Sequence, residues 1–420
     1  MCKKHSTHAH CVLSFVQLFL LSLYFIPSFS DQLLNIVEYN TAEASLGSAI
    51  TSPTITEVLL QVDVRLLQEL PTVTTDIILK GTCEGIGCSN KFISGERKVR
   101  VLSVSGDCTL VLESITLRDG YASSGSGGGA LFISNAATVR VLDSRISGSS
   151  AEKSGGGIHV SVSTLEVRSS IITGCRAEEF GGGLYSSGST VVVESSTFQY
   201  SQAGRDGGGV YASYGTQLSL EAAAVTSNQA GTKGGGLGAF FSCVVYDTTT
   251  GIPTESNTKV SVAESEIKQN SGQTGAGIYV GEGSDLSVRD TTVIGSNAAG
   301  DGGGMAVAAR ASVSATSSVL QANMAWRGGA FAFLEDDGGA AELLQLELKE
   351  NSAECGRDFF WTHQSEGAGL GPECTECVAA DSYEGELSVA STAATYAATR
   401  LGQCWGGEQA CGGTDVQALQ

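Results

Sequence analysis

Apolar and polar residues alternate over short stretches in the middle of the chain, and one pattern recurs. Its unit reads apolar, any residue, apolar, four residues, apolar, two residues, a small or amide residue, one residue, then Ala or Gly. One copy consists of Leu165, Val167, Ile172, Cys175 and Ala177, and about nine copies occur in the chain. Period-two alternation rich in β-branched residues predicts short strands, and no copy has ten residues of helical periodicity.

Clusters of glycine separate the copies. They begin at Gly127, Gly155, Gly181, Gly207, Gly234, Gly275, Gly302 and Gly328, so the steps are 28, 26, 26, 27, 41, 27 and 26 residues. Identical units of this length bury their apolar faces by stacking like on like. We therefore predict an all-β parallel β-helix, a single-stranded solenoid of about 9–10 coils with three strands each, over residues 77–354.

The glycines and a recurring amide have mechanical roles in such a stack. Successive turns pass each other at strand spacing, and glycine tolerates a close approach that a Cβ would block. The asparagines at the amide position are expected to form ladders that pair turn backbone inside the coil. These asparagines are Asn228, Asn270, Asn323 and Asn351.

The combination of GGGAL, GGGIH, GGGLY and GGGVY with VTSN, IKQN, LQAN and LKEN resembles the repeats of the chlamydial polymorphic outer membrane proteins. The resemblance covers residues 77–353. It implies a right-handed β-helix of the pectin-lyase-like class and an extracellular, adhesin-like role. Unlike those relatives, this chain is expected to have no C-terminal autotransporter barrel.

Both ends of a solenoid expose strand edges and need caps. Residues 31–76 are expected to form the N-terminal cap, with a short helix from Thr41 to Ile50 that places Leu46 and Ala49 on its apolar face. Residues 1–30 combine two lysines, an apolar run and small residues before Asp31, which is typical of a secretory signal peptide.

The cysteines indicate an oxidising compartment. Ten remain after the signal, an even number suited to disulfides, and residues 355–420 lose the repeat and form a Cys-rich segment. The candidate disulfide cysteines are Cys83, Cys88, Cys374, Cys377, Cys404 and Cys411. Half a zinc site at Cys374 and Cys377 is the alternative, but the remaining cysteines have the wrong spacing, so no metal is expected.

Charge narrows the choice of partners. The chain has 44 acidic and 24 basic residues, a formal charge of −20, which repels phosphate backbones and anionic lipids. Neither nucleic acid nor, after signal cleavage, a membrane is an expected partner. The expected location is extracellular, secreted or surface-associated.

One residue past the apolar position that follows each glycine cluster, an outward row is expected. Its members are Leu131, His159, Tyr185, Tyr211, Gly238, Tyr279, Ala306 and Phe331. The rings at His159, Tyr185, Tyr211, Tyr279 and Phe331 are candidate ligand-binding residues for sugars or a protein. The alternative is that aromatic residues favour strands and stack on one another across coils.

The long fifth step places an insertion at residues 238–258. It must protrude from a regular scaffold, where long loops tend to carry function. Phe240, Phe241 and Tyr246 are its candidate ligand-binding residues. The alternative is a neutral insertion.

Corner acids offer an enzymatic alternative, because some enzymes of this fold class act on polysaccharides. Asp206 and Asp301 are the candidate catalytic residues. Stacking also predicts opposite charges in adjacent coils: Glu179 beside Arg205, Asp206 beside Lys233, and Arg168 beside Glu194, which would mainly stabilise register.

These observations favour a non-catalytic recognition protein that binds an extracellular glycan or protein and has no cofactor. The alternative is a lyase, hydrolase or epimerase that acts on polysaccharides, for which calcium is a possible cofactor.

Overall fold

The computed structural model describes residues 33–36, 38, 41–82, 90–123, 127–240, 243–246, 253–334, 340–361, 377–378 and 383–390. It is an all-β parallel β-solenoid of about 11 turns with coils of about 27 residues. The predicted fold class is therefore confirmed, but the expected three strands per coil are four in most coils, because the first of the three sheets takes two strands from each coil. Three sheets, called A, B and C here, follow the solenoid because successive coils add parallel strands to them.

Sheet A has two strands in most coils. Its first set is Leu33–Ile36, Glu57–Leu60, Ile77–Gly81, Thr109–Glu113, Thr138–Leu142, Thr164–Arg168, Thr190–Glu194, Gln217–Glu221, Lys259–Ala263, Asp285–Arg289, Ser312–Thr316 and Ala340–Lys349. Its second set is Val64–Arg65, Phe92–Ser94, Thr116–Arg118, Arg145–Ser147, Ile171–Thr173, Thr197–Gln199, Ala224–Thr226, Glu266–Lys268, Thr292–Ile294 and Val319–Gln321. The strand Tyr383–Ala390 adds to this sheet in the antiparallel direction.

Sheets B and C have at most one strand per coil, and the last strand of sheet B, Cys377–Val378, is antiparallel to its neighbour. Sheet B consists of Leu102–Ser105, Leu131–Ser134, Ile158–Ser161, Leu184–Ser187, Val210–Ser213, Leu237–Phe240, Ile278–Val280, Met305–Val307, Phe331–Phe333, Phe359–Trp361 and Cys377–Val378. Sheet C consists of Tyr121–Ala122, Ser150–Ala151, Arg176–Ala177, Gln202–Ala203, Gln229–Ala230, Ser271–Thr274, Asn297–Asp301, Met324–Arg327 and Ser352–Cys355.

The interior is built from the apolar positions of the repeat. Leu165, Val167 and Ile172 are all fully buried, as is the larger Phe198 one coil further on. Equivalent residues of neighbouring coils pair directly, for example Leu165 with Val191. One continuous apolar core therefore extends along the solenoid.

The predicted helix is confirmed near the N-terminus, where it spans Ala42–Thr51. Its buried face, which includes Leu46, Ala49 and Ile50, belongs to the same core as the coils. The parallel ladder already includes Leu33–Ile36 and Glu57–Leu60 on either side of this helix.

The predicted amide ladder is also confirmed. Asn270 Nδ2 donates to the Val225 carbonyl at 2.9 Å, and Asn270 Oδ1 accepts from the backbone N–H of Asn228 at 2.9 Å. Asn323 and Asn351 repeat the arrangement, with Asn323 N–H donating to Asn351 Oδ1 at 3.0 Å. These side chains satisfy turn backbone that the interior would otherwise leave without partners.

A second interior ladder, of hydroxyl groups, was not predicted. The backbone N–H of Ser144 donates to Ser170 Oγ at 3.0 Å, and that of Ser170 donates to Ser196 Oγ at 3.0 Å. Ser265 and Thr291 continue it in later coils. The signal was present in the sequence as a serine or threonine that follows the first sheet A strand at the same place in most coils, with Ala223 as an exception.

The glycine clusters are corners, as predicted. The Gly207 backbone has a φ of +68°, and a Cβ built on Gly208 would lie 2.3 Å from the Gly235 carbonyl oxygen of the next coil. A side chain at Gly208 would therefore collide with backbone.

The cysteine predictions have mixed outcomes. Cys108 and Cys175 are buried free thiols, so the expectation that ten cysteines would pair is wrong for these two. Burial raises the pKa of Cys175 to about 11, which keeps it protonated. Cys355 is disulfide-bonded. The candidate cysteines Cys83, Cys88, Cys374, Cys404 and Cys411 lie outside the described residues, as does the side chain of Cys377 and the signal region 1–30.

Candidate functional site

The predicted aromatic row exists on the outer face of sheet B. His159 pairs with Tyr185 and Tyr185 with Tyr211 in consecutive parallel strands. Tyr279 lies in the same row two coils after Tyr211, across from Gly238. Outward positions of successive parallel strands are about 4.8 Å apart, which is the separation at which rings stack.

Both ends of the predicted row need correction. Leu131 and Phe331 point into the core and are fully buried, while Phe132 and Ala332 occupy the outward positions. In these two coils the residue that aligns with the third glycine of the other coils is an alanine, which the prediction took as the first core residue. The first core residue is the one that follows this alanine. A slip of one residue moves a side chain to the opposite face of a strand. Phe331 is therefore excluded as a surface residue.

Phe240 completes the row where Gly238 leaves a gap. Its ring centroid lies 4.4 Å from that of Tyr211 and 5.1 Å from that of Tyr279, and both pairs are stacked. A Cβ on Gly238 would lie only 2.1 Å from the Phe240 ring. The missing side chain thus provides the space for Phe240, which belongs to a sheet B strand rather than to the protruding loop.

The stack is continuous over six rings, here called the aromatic column. Its members are Phe132, His159, Tyr185, Tyr211, Phe240 and Tyr279, with centroid separations of 5.1, 4.6, 5.2, 4.4 and 5.1 Å along it. The alternative prediction, that the aromatic rings stack on one another across coils, is therefore confirmed. It does not by itself exclude binding.

Exposure divides the column into two parts. Tyr211, Phe240 and Tyr279 are buried, with exposed fractions of 4%, 4% and 5%. Phe132, His159 and Tyr185 are only partly buried. The accessible part of the column is therefore its N-terminal end, and the buried tyrosines lie behind other side chains.

Basic side chains flank the buried part. Lys233 Nζ donates to Tyr279 Oη at 3.1 Å and lies 4.8 Å from the centre of that ring. Phe180 packs on Tyr211 with centroids 5.0 Å apart, and the Arg205 guanidinium lies 4.9 Å from the Phe180 ring. These contacts hold the rings in place, and burial raises the pKa of the Tyr211 hydroxyl above its usual value.

His159 is neutral in this environment. It stacks between Phe132 and Tyr185, and burial lowers its pKa from 6.5 to about 4, while Nδ1 lies 3.4 Å from the Ser154 carbonyl oxygen. The imidazole therefore acts as an uncharged ring in the column at neutral pH.

We expect this burial to make stability depend on pH. The unfolded chain binds a proton at His159 near pH 6.5, whereas the folded chain does so only near pH 4. The unfolded state then binds more protons, so the free energy of unfolding falls by up to about 3 kcal/mol as the pH drops through this window. Urea unfolding of wild type and His159→Phe at pH 7 and pH 5 checks this, since the variant keeps an aromatic ring without the titration. An equal loss of stability in both proteins would contradict it.

The two candidate catalytic acids do not form a pair. The corner positions Asp206, Lys233, Thr274 and Asp301 follow one another in successive coils. Three steps of about 4.8 Å separate the two aspartates by about 14 Å. Glycoside hydrolases that use two carboxyl groups hold them roughly 5 to 9.5 Å apart.

Each of these acids already has protein partners. Asp206 Oδ1 accepts from the Thr232 hydroxyl and from the Lys233 backbone N–H at 3.0 Å. Asp301 forms a bidentate ion pair with Arg327, with Nη2 to Oδ2 at 2.7 Å. Asp206 therefore neighbours Lys233 as predicted, but through its backbone, because the ammonium group points to Tyr279.

Of the two other predicted opposite-charge pairs, one forms an ion pair and one does not. Arg168 Nη1 lies 3.2 Å from Glu194 Oε2, which confirms that pair. The Arg205 guanidinium instead lies over Phe180, and Arg205 meets Glu179 through its backbone N–H, which donates to the Glu179 carbonyl at 2.8 Å.

The predicted insertion is a two-stranded antiparallel hairpin, Cys243–Tyr246 and Pro253–Ser256, outside the parallel ladder. Phe241 and the side chain of Tyr246 lie outside the described residues. Within the part of the chain that the structure describes, no three His, Cys, Asp or Glu side chains are grouped to hold a metal ion. No helix among these residues is long and apolar enough to span a membrane.

No protein-family model and no curated protein matches the chain. Tailspike protein 3 of bacteriophage CBA120 is similar in structure, at 10% sequence identity, with 86% of this chain and 61% of that chain covered and a TM-score of 0.26. The chain thus spans less than two thirds of that tailspike's length, and a likeness this low carries no argument about function.

Proposed function

We propose that the protein is a non-catalytic, extracellular recognition protein that binds a glycan or a protein at the accessible end of the aromatic column. Phe132, His159 and Tyr185 supply the contact surface, and the buried rings of Tyr211 and Tyr279 hold them in position. The proposal includes the adhesin-like role that the repeat resemblance implies.

One observation carries this proposal: three partly exposed rings in a rigid stack, none of them charged at neutral pH. Rings held by neighbours above and below lose little conformational freedom when a ligand binds, which favours affinity. Sugar faces and apolar side chains are the chemical groups that such a surface contacts best. The solenoid backbone supplies the rigidity.

The enzymatic alternative has a direct test. The purified mature chain is incubated with pectate and alginate, with and without calcium, and new unsaturated or reducing ends are measured. We expect none, since Asp206 and Asp301 are too far apart to act as a pair and have protein partners. Turnover abolished by Asp206→Asn or Asp301→Asn would overturn the non-catalytic proposal.

Binding is tested with Tyr185→Ala on a printed panel of neutral and acidic oligosaccharides and extracellular matrix proteins. Loss of one aromatic contact is expected to weaken binding about tenfold, or about 1.4 kcal/mol. Tyr200→Ala is the matched control, because Tyr200 is 61% exposed and lies between sheets A and C, away from the column. Equal affinity of the two variants for the ligand would contradict the proposal that the aromatic column is the binding site.

A further inference from the structure

Sheet C carries a shallow groove on its outer face that the sequence patterns did not indicate. It encloses about 300 Å³ and crosses three successive coils. Its lining includes Gln229, Gly231, Ser271, Gln273, Asn297 and Ala299. The groove lies on a different sheet from the aromatic column.

The groove follows from a difference in coil length. From Asn270 to Gly275 the chain takes five steps, whereas the preceding and following coils take six between the equivalent residues. The strand register shifts at this point on both sides of Asn297–Asp301. A short coil therefore lies between two longer ones, and the small side chain of Ala299 leaves space at the groove.

The lining is uncharged and combines amide and hydroxyl groups with small residues. The amides of Gln229, Gln273 and Asn297 are exposed, and the lining contains no acidic or basic side chain. Gln202 Nε2 donates to Gln229 Oε1 at 3.4 Å, so the amides continue as a row into the preceding coil. Each amide offers both donors and an acceptor, which matches neighbouring hydroxyl groups on a sugar ring.

Trp326 lies in the sheet C strand that pairs with Asn297–Asp301, one coil beyond the lining residues Asn297 and Ala299. It belongs to the coil after Ala299, within the stretch where Asn297 pairs with Met324 and Asp301 with Arg327. Its side chain is 42% exposed, which is unusual for so large an apolar group.

Several contacts fix the Trp326 ring. Its Nε1 donates to Glu354 Oε2 at 2.8 Å, and the Arg327 guanidinium lies 5.2 Å from the ring. Arg327 is itself held by the ion pair with Asp301 and lies 4.6 Å from the Phe360 ring. An exposed aromatic ring with so little freedom is a suitable platform for a sugar.

We infer that this groove binds an uncharged glycan chain, with one sugar ring stacked on Trp326 and hydroxyl groups bonded to Gln229, Gln273 and Asn297. The charge distribution selects this ligand: an acidic polysaccharide finds no cation in the lining, and the protein as a whole carries a charge of −20. The site goes beyond the proposed function, because it lies on sheet C and includes no residue of the aromatic column.

The test uses the mature chain and four hexasaccharides: maltohexaose, cellohexaose, mannohexaose and hexagalacturonate. Isothermal titration is expected to show binding of at least one of the neutral three and none of hexagalacturonate. Trp326→Ala is expected to weaken that binding about tenfold. Asn297→Ala, a substitution at an exposed position, is also expected to weaken hexasaccharide binding. It tests the groove if the Trp326→Ala protein does not fold.

Tyr214→Ala is the matched control, since Tyr214 is 51% exposed and lies between sheets B and A. It is expected to bind as wild type does. Absence of binding by all three neutral hexasaccharides, tighter binding of hexagalacturonate, or unchanged affinity in folded Trp326→Ala and Asn297→Ala would each overturn the inference. If Tyr185→Ala weakens hexasaccharide binding and the groove variants do not, the result supports the aromatic column as the binding site and refutes the groove. The two proposals can therefore fail separately.

Discussion

Replacement of Gly208 by alanine is expected to be among the most destabilising single changes in this protein. The added Cβ would lie 2.3 Å from the Gly235 carbonyl oxygen and 2.4 Å from the carbonyl group of Gln229. Both contacts are with backbone of the next coil, which cannot rotate away. The coils would have to separate, breaking bonds such as Gly208 N–H to Gly234 O at 3.0 Å. We expect a loss of about 3 kcal/mol or more in the free energy of unfolding.

The measurement is urea unfolding followed by circular dichroism. Gly174→Ala is the matched control, because a Cβ at Gly174 meets no atom within 4 Å while its φ is +62°. The free energy of unfolding of that variant should fall only by the backbone strain of a left-handed residue, about 1 kcal/mol. Similar unfolding midpoints for the two variants would contradict the role of close coil approach at the glycine corner.

Asn270→Ala is expected to destabilise the protein by a similar amount, because it removes buried hydrogen bonds. The side chain is 1% exposed and bonds three groups: the Val225 carbonyl, the Asn228 backbone N–H and the Asn228 amide at 3.2 Å. Alanine removes these bonds from the Val225 carbonyl and the Asn228 backbone N–H inside the solenoid, while the Asn228 amide keeps its bond to the Phe198 carbonyl at 3.0 Å. Each buried polar group left unsatisfied costs roughly 1 to 3 kcal/mol, so we expect a loss of about 3 to 5 kcal/mol.

Asn270→Ser tests the same interpretation more gently. Serine already occupies this ladder position at Ser201, where its Oγ accepts from the Cys175 backbone N–H at 3.4 Å. A serine hydroxyl at position 270 can accept from Asn228 in the same way, so about 1 to 2 kcal/mol of the loss should be recovered. Equal losses for the alanine and serine variants, or no loss for alanine, would refute the ladder as a source of stability.

Much of the architecture could be predicted because its causes are local and repeated. The alternation around Leu165 and Val167 predicts a strand with one buried face, and equal spacing predicts that equivalent residues stack. The glycine corners and the asparagine ladder follow from the same logic, since identical units must meet at strand spacing. The short helix at Ala42–Thr51 follows from its own apolar face.

The candidate site was predicted less completely. Tyr185 and Tyr211 were correctly assigned to one outward row, but the row's ends were not, because the alanine before Phe331 was taken as its core residue. Trp326 was missed altogether, although the five-residue spacing from Asn323 to Gly328 marks an irregular coil there. A pattern that treats all coils as equal cannot show what their differences create.

The repeat therefore decided the fold, the core and the corners, since each depends on a strand and its equivalent one unit away. Tertiary structure alone decided which rings reach solvent, how Phe240 fills the space above Gly238, and where a short coil leaves a groove beside Trp326. Those features depend on side chains from coils of unequal length and composition. Their positions are set by contacts between neighbours rather than by any periodic pattern within the chain.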